Sequence, residues 1–210
     1  MFGVYFSNQT VAKFKVTAHA CNRGVLLALQ SFFGCGRIAI DNRRDNTLKF
    51  VVTRQSDLLN KVIPHFQAFP LQGSKALNFL DFAEAVKLMV EGAHLTTAGL
   101  EQLRLLTLNK NKKRSYESKY NYLSAHKFIM NAEYVRGFVD GEGHFAVEIN
   151  KPQEGRNHPT IGCSLQIAQA SHDVLLLNSI MEYFGGTRIK PAFDIHSLIA
   201  AQGVRNVVRL

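Results

Sequence analysis

Two stretches of the chain share one pattern, and this internal repeat restricts the fold more than any other feature. FKVTAHACNRGVLLALQSFFGCGRI begins at Phe14, and LQIAQASHDVLLLNSIMEYFGGTRI begins at Leu165, at an offset of 151 residues without a gap. Each passes from an alternating run through a capping-type residue, Asn22 or Asp173, into an apolar helix that stops at an aromatic–glycine pair. Two copies predict two related units rather than a solenoid, which needs more repeats.

The first copy also predicts an antiparallel sheet with two different faces. GRIAID and TLKFVVT are separated by the turn-prone NRRDN, which indicates a hairpin. In VAKFKVTAH, alternation places Ala12, Phe14, Val16 and Ala18 on one face and Lys13, Lys15, Thr17 and His19 on the other. The open polar face of a sheet is often simply exposed to solvent, without a binding role. The basic residues Lys13, Lys15, Arg37 and Lys49 nevertheless suit nucleic acid, because strands can enter the major groove.

Composition favours a polyanionic partner and a two-part organisation. The net charge is +9, and 46% hydrophobic content over 210 residues is enough for one large or two small cores. The three cysteines show no paired spacing, and no apolar run has the length of a membrane helix, so neither a disulfide framework nor a membrane partner is expected. Basic residues concentrate in a polar stretch that predicts a linker. The predicted domains are 1–107 and 131–210, with a basic linker at 108–130.

The segment after the first sheet predicts packing helices. Pro64 and Pro70 favour an extended, turn-rich approach to Ser74, which can cap the next helix. A second, short helix is expected from Thr96 or Thr97. The predicted apolar stripe of the first helix is Leu77, Leu80, Phe82, Val86 and Met89.

The stretch YVRGFVDGEGHF places two acids where a helix should end. Asn131 is a plausible N-cap, and Gly137 and Gly141 lie four apart, on one helix face that can approach another backbone closely. Asp140 and Glu142 at a helix C-terminus cost about 0.3–1 kcal/mol each. A divalent cation would reverse that cost, because carboxylate and carbonyl oxygens are its preferred ligands. The alternative is a solvated turn that uses glycine for positive φ; a calcium loop is disfavoured because the EF-hand spacing is absent.

This stretch resembles the signature of the LAGLIDADG homing endonucleases, in the single-chain form with two related halves. IPHFQAFPLQGSK, GAHLTTAGLEQL, the motif and SHDVLLLNSIMEYFGGTRI follow the family's order, so that the resemblance covers roughly residues 2–205. It implies an α+β fold of two pseudo-symmetric αββαββα units, whose antiparallel sheets form a DNA-binding saddle and whose motif helices pack through Gly137 and Gly141.

The resemblance also implies the chemistry and its residues. Each motif gives an acid to a magnesium-dependent centre that hydrolyses phosphodiesters in double-stranded DNA. Glu142 matches the catalytic, metal-binding acid, the Gly141 carbonyl an accessory ligand, and Asp140 a less directly involved acid. Lys75 resembles a basic residue near the scissile phosphate. The outward, DNA-facing strand positions are Lys13, Lys15, Arg37, Lys49, Ser164, Gln166, Arg188 and Lys190.

The chain departs from the family pattern at both ends. Placing FGVYF beside FAVEI sets Met1 opposite His144, so the first motif helix and the last helices of the second repeat are expected to be missing. We therefore expect little or no cleavage from a partial copy with one motif acid. The intact family form is a monomer, whereas self-association through the Glu142 helix is one alternative here.

The resemblance favours a site-specific DNA endonuclease of a mobile group I intron. The alternatives are an intron RNA maturase and a non-catalytic DNA-binding module, and replacement of Glu142 by Gln would abolish cutting while sparing a maturase. A mitochondrial location is expected, with the chloroplast as the alternative.

Overall fold

The chain forms two α+β units. The computed structural model describes residues 2–7, 9–108, 114–150, 159–185, 189–192 and 196–202. The first unit comprises the residues up to Leu71 together with Lys75–Ser115, and the second comprises Gln72–Ser74 and the residues from Tyr116 onward. Among the described residues, no helix combines the length and apolar character needed to cross a membrane. The predicted α+β class is confirmed.

The first unit is a four-stranded antiparallel sheet with helices packed on its apolar face. Its strand order is β1-β2-β4-β3, and the predicted hairpin is the β3–β4 pair. The predicted faces of β2 are confirmed, because Ala12 and Phe14 are buried in the core. The elements are β1 (Phe2–Phe6), β2 (Thr10–His19), α1 (Arg23–Phe33), β3 (Arg37–Asn42), β4 (Thr47–Val52), α2 (Gln55–Asp57), α3 (Ile63–Ala68), α4 (Lys75–Val90) and α5 (Thr97–Leu108).

Aromatic rings join this sheet to α3 and α4. The ring of Phe2 lies 5.3 Å from that of Phe14 and 5.2 Å from that of Phe66, centroid to centroid. It also lies 5.3 Å from the ring of Phe79 and 5.2 Å from that of Phe82. A fully buried phenylalanine of this kind stabilises a fold by about 1.5–3 kcal/mol, so the helices after the first sheet are part of its core.

Two expectations for these helices are wrong. Pro64 does not lie in an extended segment but in the first turn of α3. Helix α3 continues without a break from a π-helical turn, Leu58–Val62, and this widened turn accommodates a residue that has no main-chain N–H. Leu80 is exposed, whereas Phe79 and Ala83 are buried beside the predicted Phe82, Val86 and Met89. The buried stripe of α4 is therefore rotated relative to the prediction.

The second unit repeats the same topology. Its antiparallel sheet has the order β5-β6-β8-β7, which matches the first sheet strand for strand. Gly34 and Gly185, 151 residues apart, end α1 and α8 with φ of 57° and 64°, the left-handed conformation that favours glycine. The predicted repeat is thereby confirmed. The elements are α6 (Tyr116–Ser124), α7 (Ala132–Glu142), β5 (Gly143–Asn150), β6 (Thr160–Ala170), α8 (Val174–Tyr183), β7 (Ile189–Ala192) and β8 (His196–Gln202).

The second unit has a hydrophobic core of its own. It is built on Ile167 of β6 and on Leu176, Leu177 and Ile180 of α8. Helix α6 lies within the stretch predicted as the basic linker, and its Leu123 is fully buried. Part of that stretch therefore packs into the second unit.

One face of the β5–β6 hairpin is apolar and exposed. Phe145 pairs with Leu165, Val147 with Cys163, and Ile149 with Ile161. Phe145 is 75% exposed, although Phe2, its counterpart in the first repeat, is 9% exposed. Phe2 is less exposed because aromatic side chains of α3 and α4 pack on it.

Candidate metal site and nucleic-acid interface

Helix α7 carries the predicted acids to the start of β5. Its N-terminus is capped as predicted, since the Asn131 side chain accepts a hydrogen bond from the Tyr134 main-chain nitrogen at 2.8 Å. Val135 is buried, and Tyr134 and Phe138 stack with ring centroids 5.9 Å apart against the second core. Burial, with the charge of Asp173 as a smaller cause, raises the pKa of Tyr134 well above its ordinary value. One face of α7 is therefore anchored.

The C-terminal end of α7 leaves its acids at the surface. Glu142 is the last helical residue and is exposed. Asp140 is exposed and lies 3.9 Å from Arg136, one turn earlier on the helix. Gly143 follows with φ −85°, so the proposed need for positive φ does not apply. A Cβ at Gly143 would lie 2.6 Å from the Val139 carbonyl oxygen, and this close approach explains the glycine.

The two predicted packing glycines share the outer face of α7. A Cβ built at Gly137 or Gly141 meets no atom of the structure within 4 Å, and both residues are exposed. Their neighbours on this face are charged, Arg136 and Asp140 among them, so the exposed stripe is lined by glycine and charged residues. Backbone on this face is accessible to a second structural element.

The oxygen atoms at the end of α7 suit a hard divalent cation as ligands, although they are few. Magnesium keeps several waters and binds one or two carboxylates together with substrate phosphates. Glu142 and the neighbouring Gly141 carbonyl offer such oxygens. Within the described ranges, no group of three or more histidine, cysteine, aspartate or glutamate side chains could hold a metal ion. The residues therefore fit a site that shares its ion with a phosphate, rather than a closed protein cage.

The polar face of the first sheet brings together three of the predicted DNA-facing residues. Lys15 and Lys49 both contact Asp41, which the sequence analysis did not single out: their Nζ atoms lie 3.1 Å and 3.2 Å from its carboxylate oxygens. Lys13 stacks over the Tyr5 ring at 4.8 Å. Alternation along β3 places Asp41 on the same face as Arg37 and Lys49, but it does not show that this acid contacts both lysines.

Arg37 lines a cleft of about 410 Å³ beside β4. Arg54, Lys61 and Asp57 also line this cleft, and Lys61 donates to the Gly34 carbonyl at 2.8 Å. The cleft therefore adds two basic side chains near Arg37 that the sequence analysis missed.

Of the four DNA-facing positions predicted in the second unit, three lie within the described residues. Ser164 and Gln166 share one face of β6, and the Gln166 amide donates to the Ser164 hydroxyl at 3.2 Å. Lys190 belongs to β7 and pairs with Leu198 in the strand register. Arg188 lies outside the described residues.

Lys75 is the first residue of α4 and is exposed. The residue before it, Ser74, belongs to the second unit, and its hydroxyl donates to Asp173 at 2.9 Å. Asp173 occupies the predicted N-cap position of α8 but makes no capping bond there. Nothing in the local sequence indicates this partner, which is far away in the chain.

Comparisons with known proteins agree with this architecture. The family model described as LAGLIDADG endonuclease matches residues 4–86 and 135–197. Probable intron-encoded endonuclease 3 of Neurospora crassa is 29% identical over 188 residues, which cover 84% of this chain and 35% of that protein. An uncharacterized 50.9 kDa protein in ND4 intron 1 of Podospora anserina is 30% identical over 90 residues, covering 42% of this chain and 19% of that protein.

A solved structure shows the same fold. I-SmaMI bound to an uncleaved DNA target in the presence of calcium ions is 25% identical, with a TM-score of 0.80 over 95% of this chain and 74% of that chain. The chain thus spans about a third of the Neurospora relative's length and most of the solved chain. Because the family model matches well over half of the residues, including most strands of both sheets and the acidic end of α7, the chain belongs to the LAGLIDADG endonuclease family.

Proposed function

We propose that this chain is the DNA-recognising part, and one half of the catalytic centre, of an intron-encoded homing endonuclease. The observation that carries the proposal is the position of Glu142, exposed at the C-terminal tip of α7 and followed directly by the sheet. Family membership, the intron-encoded endonuclease among the relatives and the DNA-bound structural neighbour support it.

The proposed chemistry is hydrolysis of DNA phosphodiesters. Glu142 and the Gly141 carbonyl would hold magnesium, which supplies Lewis-acid activation of water and of the phosphodiester when bound. Asp140 keeps the helix tip negatively charged. Lys75, exposed at the start of α4, would neutralise charge on a backbone phosphate. We assign no further residue of this chain to the proposed metal centre.

The proposed interface is the polar faces of the two sheets. On the first sheet it comprises Lys13, Lys15, Lys49 and Arg37, whose positive charges suit phosphates and guanine edges. On the second it comprises the polar positions Ser164, Gln166, Arg188 and Lys190. We further propose that the host is a mobile group I intron of a mitochondrial genome; the Podospora relative in ND4 intron 1 supports this over a chloroplast location.

The decisive experiment replaces Glu142. The protein expressed from the whole reading frame around this coding sequence is incubated with duplex DNA spanning the intron insertion site, with and without magnesium. We expect double-strand cleavage that requires magnesium, and loss of cleavage with retained binding in Glu142→Gln. Glu133→Gln, an exposed acid in the first turn of the same helix, is the matched control. Wild-type cleavage by Glu142→Gln would disprove the assignment.

A non-catalytic DNA-binding role for these 210 residues is the second candidate. It is favoured by the basic side chains on the polar face of the first sheet, Lys13, Lys15 and Lys49, which can contact phosphates without a metal ion. It predicts binding that weakens steeply with salt and no magnesium-dependent turnover by the 210 residues alone.

A further inference from the structure

A cysteine and a histidine lie in contact at the end of β2. The Sγ atom of Cys21 is 3.0 Å from the Nδ1 atom of His19, and both side chains are exposed. The same Nδ1 atom accepts a hydrogen bond from the Cys21 main-chain nitrogen at 3.4 Å. A neutral imidazole has one donor nitrogen and one acceptor nitrogen. Nδ1 is therefore the acceptor, and the thiol of Cys21 is placed to donate its proton to it.

The local backbone keeps this pair together. His19 is the last residue of β2, where it pairs with Thr47, and it is also the N-cap of a 3-10 turn, Ala20–Asn22. The Ala20 main-chain nitrogen donates to the Asn46 carbonyl at 2.9 Å, which joins the turn to the start of β4. His19 thus has a structural role as a cap, and an experiment must separate that role from a chemical one.

The pair has the two parts of an activated nucleophile. The thiolate is the form of cysteine that attacks an electrophile, and an adjacent base that takes the proton activates it. Cys163 is also exposed, but it lies on the apolar face of the β5–β6 hairpin, opposite Val147. Cys35 is half-buried, and burial, together with the charge of Asp57, raises the pKa of its thiol. The surroundings of Cys21 therefore favour reaction more than those of Cys35 and Cys163.

We propose that Cys21 is a site of reversible modification, at which its thiol forms a mixed disulfide with a small disulfide such as oxidised glutathione. His19 Nδ1 takes the thiol proton as Sγ attacks one sulfur of the small disulfide. A new S–S bond forms at Sγ and the S–S bond of the small disulfide breaks. The leaving sulfur keeps the electron pair of the broken bond and then takes the proton from His19. Cys21 is oxidised and the leaving thiol is reduced, so the step needs no other oxidant.

The adduct lies at the end of the proposed DNA-binding face. Alternation along β2 places His19 on the same face as Thr17, and Thr17 pairs with Lys49 of β4. A glutathione adduct carries a net negative charge, which repels DNA phosphates. Modification of Cys21 therefore weakens DNA binding. This consequence rests on the proposed function, whereas the modification itself does not.

The first test follows the modification at each of the three cysteines. The purified, fully reduced chain is mixed with oxidised glutathione, and mass spectrometry of its peptides gives a rate for each thiol. We expect Cys21 to react at least about threefold faster than Cys163, and Cys35 to react most slowly. In urea that unfolds the chain, the three rates should become similar. Equal rates for Cys21 and Cys163 in the folded chain would overturn the inference, and this comparison needs no variant.

Replacement of His19 separates the base from the cap. Asparagine is a preferred N-cap residue, so His19→Asn keeps a side-chain acceptor at the start of the turn but removes the imidazole. Cys21 in this variant should react about threefold more slowly, whereas the rate of Cys163 in the same molecule should not change. Thermal unfolding checks that the variant folds as the wild type does. An unaltered rate at Cys21 would show that the contact is only structural and would overturn the inference.

The second test measures the effect on DNA binding. Fluorescence anisotropy with a random-sequence duplex at low salt compares the reduced chain with the glutathione-modified chain. Modification should weaken binding at least about threefold, and dithiothreitol should restore it. Binding by Cys21→Ser should not respond to oxidised glutathione. Full binding by a chain modified at Cys21 would overturn the inferred effect on DNA. If the reduced chain binds no duplex, the proposed function fails, and the rates at the individual cysteines still decide whether Cys21 is the modification site.

Discussion

Asp173 and Ser74 are 99 positions apart in the chain, yet the aspartate carboxylate accepts two hydrogen bonds from the serine. The Ser74 main-chain nitrogen lies 2.8 Å from Oδ1, and its hydroxyl lies 2.9 Å from Oδ2. The His172 ring nitrogen lies 3.5 Å from the same carboxylate, and burial lowers the pKa of His172. This contact fixes the segment Gln72–Ser74 against the start of α8, immediately before the proposed phosphate-contacting Lys75.

Loss of the Asp173 carboxylate should destabilise the second unit. Asp173 is buried, so Asp173→Ala leaves the Ser74 donors without their acceptor, at a cost of about 1–3 kcal/mol. The measurement is urea unfolding followed by circular dichroism. Ser74→Ala is the control, since it removes the hydroxyl but keeps the main-chain donor, and it should cost less. A change below the error of the unfolding fit in Asp173→Ala would contradict this prediction.

The two repeats offer a matched pair of phenylalanines. Phe2→Ala should lower the free energy of unfolding by about 3–5 kcal/mol, because Phe2 is packed among four other rings. Phe145→Ala should change it by less than about 1 kcal/mol, because most of that side chain is exposed. Hydrogen exchange followed by mass spectrometry reports each unit separately. Equal protection losses in both variants would argue that something covers Phe145 in solution.

Replacement of Gly137 by alanine is expected to raise the stability of the chain and to lower its activity. Gly137→Ala should stabilise the chain by up to about 1 kcal/mol, because alanine is the better helix former and its Cβ meets nothing within 4 Å. The same variant of the protein from the whole reading frame should cleave DNA less well if the glycine face packs against another helix. Thermal unfolding and a cleavage assay check the two parts.

Gly143 supplies the contrast for that experiment. Gly143→Ala should destabilise the chain by about 1–3 kcal/mol, because its Cβ would meet the Val139 carbonyl oxygen at 2.6 Å. Full cleavage by Gly137→Ala would show that Gly137 has no packing role in the nuclease.

The Asp41 network predicts a dependence of stability on acid. The pKa of Asp41 is lowered in the fold by the hydrogen bonds from Lys15, Lys49 and Thr17, whereas an unfolded aspartate has a pKa of about 3.9. A lowered pKa stabilises the fold above that value, and the stabilisation is lost as the pH falls through the folded pKa. Wild type should therefore lose more stability than Asp41→Asn between pH 6 and pH 3, measured by urea unfolding. Parallel losses would exclude a role for Asp41.

Local patterns predicted what depends on neighbours in the chain. The alternation along β2, the β3–β4 hairpin, the Asn131 cap and the glycine stops of α1 and α8 are all confirmed, since period, turn chemistry and capping act over a few residues. The equivalent cap at Asn22 makes no side-chain hydrogen bond, which shows that a preferred residue type does not guarantee the bond. The repeat and the acidic motif together were enough to indicate the family.

The sequence by itself determined the two related α+β units and the acid at the end of α7. Both follow from the local periodicity and spacing of residues, which can be read without knowing which distant residues pack against them. The tertiary structure alone decided that Asp41 holds two lysines, that Asp173 bonds Ser74, and that Phe2 is covered while Phe145 is exposed. Each of these depends on a neighbouring strand, a distant segment or a covering helix. Such contacts depend on which surfaces pack together in the folded chain, and a local sequence pattern does not predict them.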